Sequence, residues 1–218
     1  MTDNRKIPTH EVTYARLRDM ILFGVLEPGQ PVTIQGLVSD LAAGMTPVRE
    51  AIRRLTAEGA LLPQGNRRVT VPRMTAAMLD QVAFARLTLE PKLAELACAA
   101  LTPALIDRLA AIDQRVNRAI AAGEIPAYLE ANHAFHFALY DLAGAGVLLD
   151  MARSLWLRFG PALRVVTGHS GELGLPDLHA EALAAMRAGD AGALAGAIER
   201  DIAQGVALVR AALAQGRI

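Results

Sequence analysis

Residues 45–62, Met-Thr-Pro-Val-Arg-Glu-Ala-Ile-Arg-Arg-Leu-Thr-Ala-Glu-Gly-Ala-Leu-Leu, narrow the folds open to this chain more than any other stretch. The Thr46 hydroxyl can cap a helix, and Pro47 suits the first helical position, where no backbone N–H is required. Val48, Ile52 and Leu55 recur at helical spacing and form an apolar stripe. Arg49 and Arg53, four apart, share a different face with Thr46 at its leading end. Glu58-Gly59 closes the helix with the residue that best tolerates a left-handed backbone. A helix that is apolar on one side and guanidinium-bearing on another lies on a core while offering cations to an anion.

The flanking sequence identifies that anion. Residues 33–41 read as a short helix with apolar positions at Ile34, Leu37, Val38 and Leu41, and Ala42-Ala43-Gly44-Met45 is a tight connection. Helix, turn and second helix make a helix-turn-helix, whose second member enters the DNA major groove leading with its N-terminal residues. Downstream, Leu61-Leu62-Pro63 and Val69-Thr70-Val71 flank a Gly-containing turn that carries Arg67 and Arg68, which predicts a two-stranded wing. An earlier helix bears Tyr14, Leu17, Ile21 and Leu22 and ends near Phe23-Gly24, followed by a loop at Pro28-Gly29-Gln30-Pro31. Thr46 and Arg49 are placed for base or phosphate contact, whereas Arg53, Arg67 and Arg68 suit phosphates or the adjacent minor groove.

These stretches resemble the GntR family of bacterial transcription regulators. Residues 21–30 are similar to the family's I-x-x-G-x-L-x-P-G element, and Thr46 to Leu55 followed by Glu58-Gly59 is similar to its recognition-helix signature. Gly44 and Met45 stand where the family usually carries Ser or Thr and then Arg, and Gly36 replaces a better helix former. That difference bears on which operator is read.

Net charge over the whole chain is zero, which by itself would argue against nucleic acid. Residues 1–73, however, hold 10 Lys/Arg against 7 Asp/Glu, a net of +3, while residues 74–218 hold 12 against 15, a net of −3. Local clustering matters more than the sum, because phosphate contacts act over roughly a Debye length of ~10 Å. No apolar run approaches the ~20 residues of a membrane span, and the first ten residues are polar, so a cytoplasmic protein with no membrane partner is expected. Cys98 is alone, which leaves no intramolecular disulfide or Cys-based zinc site, and reads as a small core residue.

From Met74 the chain turns rich in Ala and Leu. Helical patterns run over about 75–100, 103–122, 126–143, 146–167, 176–188 and 190–214, with breaks at Leu101-Thr102-Pro103, Ala122-Gly123, Gly144-Ala145-Gly146, Gly168 to Gly171 and Ala188-Gly189-Asp190. The fold class is therefore mainly α. A winged helix-turn-helix spans 1–73, and an antiparallel bundle of about six helices spans 74–218. This second part resembles the FCD ligand-binding domain of the FadR subfamily, in its six-helix, VanR-like version.

That resemblance implies a ligand set. The FCD pattern is similar to Asn132-His133-Ala134-Phe135-His136, then His179 before the Ala-Gly-Asp turn, then Asp201 on the last helix. Asn132 stands at the family's Asp position and Asp201 at its last His position, so only His136 and His179 match in type. The formal charge of the set stays at −1, and two His, one carboxylate and a weak Asn carbonyl remain acceptable to Zn²⁺ or a similar divalent ion. Alternatively, His136 and His179 are hydrogen-bonded core histidines and Asp201 pairs an arginine. Arg86 resembles the FCD first-helix R-x-x-L-E arginine, whose planar fork suits a carboxylate effector, and it could equally bridge to Glu90 at i+4. Arg158 and Arg164 are weaker alternatives for that task. His169 reads as a loop residue, His133 as turned away from the His136 face, and Trp156 as core or cavity wall.

The expected activity is that of a ligand-controlled transcriptional regulator, a repressor or an activator, with repression the first expectation. It would act as a homodimer that reads a palindromic operator and responds to a small organic acid bound in the bundle, with or without a metal. The rival reading is a helical-bundle metallohydrolase with an accessory domain, for which no general base or nucleophile stands at a recognisable spacing.

Overall fold

The computed structural model describes residues 9–66, 68–170 and 177–218, with side chains 166–170 set aside. Helix α1 (Thr9–Leu22) leads into strand β1 (Pro31–Thr33), α2 (Ile34–Asp40) and α3 (Met45–Ala57). Strands β2 (Leu62–Gln64) and β3 (Arg68–Thr70) follow. The Val48, Ile52 and Leu55 stripe is buried together with Ala51, and it seats α3 on Leu17, Ile21 and Leu37. Two details differ from the sequence reading. The cap of α3 is Gly44, with no side-chain hydrogen bond, and Thr46 lies inside the first turn as does Pro47. The wing also gains a third strand: β1, expected as the tail of a loop, pairs antiparallel with β3, giving the order β1-β3-β2. Prolines 31 and 63 fall on the two edge strands, where the missing donor does no harm. Leu61 precedes the wing as a fully buried anchor, and Arg67 lies outside the described residues.

Beyond the wing come α4 (Ala76–Ala97), α5 (Pro103–Ala122), α6 (Ile125–Tyr140), α7 (Gly146–Ser170), α8 (Leu178–Ala188) and α9 (Ala191–Ala214). Side chains placed for the purpose start four of these helices. Thr75, Thr102, Asp177 and Asp190 each accept from the backbone N–H three residues on. Gly123 and Gly189 adopt φ of 66° and 68° just past α5 and α8, which lets the chain reverse. The α7 backbone stays helical through Ser170, with His169 in its last turn, so Gly168 does not break the helix as expected, and Gly171 lies outside the described residues. Cys98 is half-buried in a 3₁₀ turn after α4.

Within the bundle α4 packs on α9, α5 on α6 and α8 on α9, so residues from α5, α6, α8 and α9 meet in the interior. Among the described residues, α1 against α7 is the principal contact between the two halves of the chain. Gly160 makes that approach possible, because an added Cβ would lie 2.6 Å from the Leu22 carbonyl oxygen. No helix among the described residues is long and apolar enough to cross a membrane.

Candidate metal centre and nucleic-acid interface

His136 and His179 converge on Asp201. The His136 Nε2 lies 3.1 Å from Asp201 Oδ2, His179 Nε2 lies 4.0 Å from Asp201 Oδ1, and the two Nε2 atoms are 3.4 Å apart. The opposite ring nitrogens are already engaged. His179 Nδ1 donates to Asp113 Oδ1 at 3.0 Å, a carboxylate on α5. His136 Nδ1 meets the Tyr140 hydroxyl at 3.0 Å, and Tyr140 donates its own proton to Glu90 at 2.8 Å. Tyr140 can therefore only accept from His136, and Nδ1 carries the ring proton. With both Nδ1 positions protonated, two Nε2 lone pairs point at one spot beside a carboxylate. Lone pairs do not hydrogen-bond each other; a shared proton or a cation must lie between them.

Such an arrangement suits a divalent ion on chemical grounds. The donors are two imidazole nitrogens and one carboxylate oxygen, all mutually within 4.8 Å, and each histidine is oriented from behind by an acceptor. Asn132, one turn before His136, is buried and lines a cavity of about 200 Å³ shared with Asp113, His179 and Asp201. Burial depresses the His179 imidazole pKa, but its hydrogen bond to Asp113 and the charges of Asp201 and Asp113 outweigh it, and the net shift is upward. For Asp201 burial raises the carboxyl, while the hydrogen bond and charges of His136, then His179 and Arg86, carry the net shift down. The lowered Asp201 pKa keeps a carboxylate available to a cation, whereas the raised His179 pKa favours the imidazolium, so an ion binding there must displace the Nε2 proton and competes with protons for the site.

Arg86 lies on α4 behind this cluster. Its Nε is 2.5 Å from Glu90 Oε1 and its Nη2 is 3.3 Å from Oε2, so the i+4 bridge is formed. The guanidinium is also held between the Trp156 and Phe159 rings, 4.5 Å from each centroid. Glu90 is fully buried and accepts from Arg86, Tyr140 and the Trp156 Nε1 at 3.0 Å. Three donors satisfy a carboxylate that would otherwise be very costly to bury. A continuous hydrogen-bonded chain therefore runs from Arg86 through Glu90 and Tyr140 to His136. Burial first, then the Glu90 charge, pushes the Tyr140 hydroxyl well above its ordinary pKa, which keeps it a donor.

Tyr140 and Asp113 are not among the residues the sequence pointed to, and Glu90 entered there only as the alternative partner of Arg86. His136 and Tyr140 are four apart, so that pair had a local signal. Asp113 had none, because it reaches His179 across 66 residues. His133 turns to the other side of α6, where it stacks on Phe137 at 4.4 Å and meets Trp156 and Phe23 edge-on.

On the outer surface, Thr46, Arg49 and Arg53 are exposed along one face of α3. Arg53 is bonded to Glu50 at 2.6 Å, whereas Arg49 has no ion pair among the described residues. Arg54 turns back into the fold, over the Tyr14 ring and toward Glu58 and Glu11. Arg68 is exposed at the start of β3, beside the Gly65-Asn66 turn of the wing.

A three-helix unit with a small sheet and a free arginine-bearing helix face defines a winged helix-turn-helix protein with an all-helical second domain. The chain belongs to the GntR family of bacterial regulatory proteins, in the branch that carries an FCD domain. The description "Bacterial regulatory proteins, gntR family" matches residues 9–71, and "FCD domain" matches residues 81–204. The HTH-type transcriptional regulator McbR of Escherichia coli is 31% identical over 147 residues, covering 67% of this chain and 66% of McbR. The Nta operon transcriptional regulator of Aminobacter aminovorans is 32% identical over 130 residues, covering 59% of this chain and 60% of that protein. These matches thus span somewhat under two thirds of either relative. The solved structure of E. coli McbR superimposes with a TM-score of 0.89 at 25% identity, covering 94% of this chain and 99% of that one. A GntR-type protein from Rhodococcus sp. RHA1 shares the fold, with a TM-score of 0.75 at 21% identity over 93% and 98% of the two chains. Both curated relatives are named as regulators, and they lend the metallohydrolase reading no support.

Proposed function

We propose that this chain is a DNA-binding transcriptional repressor, acting in the cytoplasm as a homodimer on a palindromic operator, whose DNA affinity is set by a small carboxylate metabolite. We place the domain boundary at Arg73/Met74, between the end of β3 and the cap of α4. Thr46 and Arg49 would meet base edges, and Arg53, Arg67 and Arg68 would meet phosphates. His136, His179 and Asp201, with the Asn132 carbonyl, would hold a divalent ion. That ion would supply a fixed positive centre on which an effector carboxylate can sit. Arg86, already bridged to Glu90, would act as the positive charge behind the pocket and engage the effector only by exchanging part of that bridge.

The observation that carries the effector half of this reading is the pair of Nε2 atoms 3.4 Å apart, with both Nδ1 protons committed elsewhere. Elemental analysis and native mass spectrometry of zinc-replete protein test it. About one zinc per chain in wild type, absent after His136→Ala with His179→Ala, is the expected result. Wild type purified without bound metal would remove the ion from the proposal. The DNA half is tested by selection from random duplexes, which should return a two-fold-symmetric site.

A further inference from the structure

The recognition helix is touched from outside its own domain. At the C-terminus of α3, the Glu58 carbonyl accepts a hydrogen bond of 2.9 Å from Arg158 Nη2, on helix α7 of the bundle. The guanidinium lies so close over Gly59 that an added Cβ would sit 2.5 Å from Nη2 and 2.7 Å from Cζ. Gly59 also has φ of 73°. The positive φ calls for glycine there, and the missing side chain leaves room for the guanidinium. The Glu58 carboxylate, meanwhile, is held from within the domain by Tyr14 at 2.8 Å and by Arg54 at 3.3 Å. One residue thus ties α3 to α1 by its side chain and to the bundle by its backbone.

The chemistry of this contact is that of a helix cap. The last carbonyls of a helix lack intrahelical donors and carry a partial negative charge, which an arginine satisfies on both counts. Its geometry makes it a lever. Helix α3 is about 20 Å long at ~1.5 Å per residue, with Thr46 and Arg49 at the far end from Arg158. A small displacement at the capped end re-aims the reading end. The contact also stands on the helix that packs against α1, where Gly160 abuts the Leu22 carbonyl, and two residues beyond Trp156, which bonds Glu90.

We propose that Arg158 is a positioning residue for DNA recognition: by capping α3 across Gly59 it sets the angle at which each recognition helix is presented, and so the spacing between half-sites that the protein accepts. This rests on the proposed reading of a dimer on a palindromic operator. Arg158 touches no DNA in this account; it acts through α3.

The test uses the full-length protein and three duplexes: the operator that wild type selects from random DNA, the same operator with one base pair inserted at its centre, and a single half-site. Wild type should prefer the native spacing over the insertion. In Arg158→Ala and Arg158→Gln that preference should shrink by about fivefold or more, the scale of one net hydrogen bond, while affinity for the single half-site stays within about twofold. Arg158→Lys, which keeps a cationic donor, should restore most of it. Arg158 is solvent-exposed, so these variants should fold, and a melting curve checks this. Unchanged spacing preference in the alanine variant overturns the proposal, as does an equal loss on the half-site. A wild type that selects no sequence, or is indifferent to spacing, overturns the underlying reading and the proposal with it.

Discussion

Each histidine of the central cluster is useful because of what holds its far side. Asp113 donates nothing to an ion, yet it sets the tautomer and orientation of His179. Asp113→Asn leaves the ligand atoms in place and removes the charge behind them. Zinc affinity, read by competition with a chelating dye, should fall about 10- to 100-fold. His133 is a different case. Burial, helped by Arg18, His136, Arg153 and Arg86, holds its pKa near 3 against an ordinary 6.5. Between those values the unfolded chain binds the proton more readily than the folded one. The stabilising contribution is therefore complete above about pH 6.5 and is lost as pH falls toward 3. His133→Phe keeps the stack on Phe137 and removes the titration. The drop in melting temperature between pH 7 and pH 5 should be smaller in that variant than in wild type.

Among the elements, α7 carries the most obligations. It supplies Trp156 to the Glu90 cluster, Arg158 to the end of α3 and Gly160 to the seat of α1. Gly160 is followed by Pro161, an unusual pair inside a 25-residue helix, and it is needed there for contact rather than flexibility. Gly160→Ala should improve the isolated helix by roughly 0.5–1 kcal/mol. In the folded chain the new methyl meets the backbone oxygen of Leu22, which cannot move aside as a side-chain tip would. A net destabilisation of about 1–3 kcal/mol is expected, seen in urea melts, together with faster proteolysis between β3 and α4 as the two halves part.

At the scale of the molecule, the charge division matters most. The +3 of residues 1–73 and the −3 of residues 74–218 cancel in the total, so the winged half keeps a net positive charge even though Arg53 and Arg54 are paired with glutamates. Operator binding should weaken steeply with salt. In a plot of log affinity against log salt concentration, Arg68→Ala should lower the slope by about 1 per chain, with little change in which sequence is preferred. Arg49→Ala should do the converse, relaxing discrimination at one base position by about 1–3 kcal/mol.

Local sequence carried a good deal. The apolar stripe of α3 and the breaks at Leu101-Thr102-Pro103, Gly123 and Gly189-Asp190 are readable because helix periodicity and helix ends depend on residues within a turn or two of each other. The grouping of His136, His179 and Asp201 was readable only through resemblance, since three helices supply them and nothing local links them. The cap of α3 was misplaced by two residues because Gly44 offers no side chain to announce it. Strand β1 has no signal of its own because three residues opening on a proline show no period, and the partner of Val32 lies 37 residues away. Only tertiary packing decided that Arg86 would close on Glu90 rather than stay open, because Tyr140 and Trp156 arrive from other helices to complete the same carboxylate. It likewise decided that Arg158 would reach Glu58 across 100 residues of chain. Periodicity and capping are short-range and are written in order along the chain, whereas burial and hydrogen-bond satisfaction are settled by whichever side chains the fold brings together.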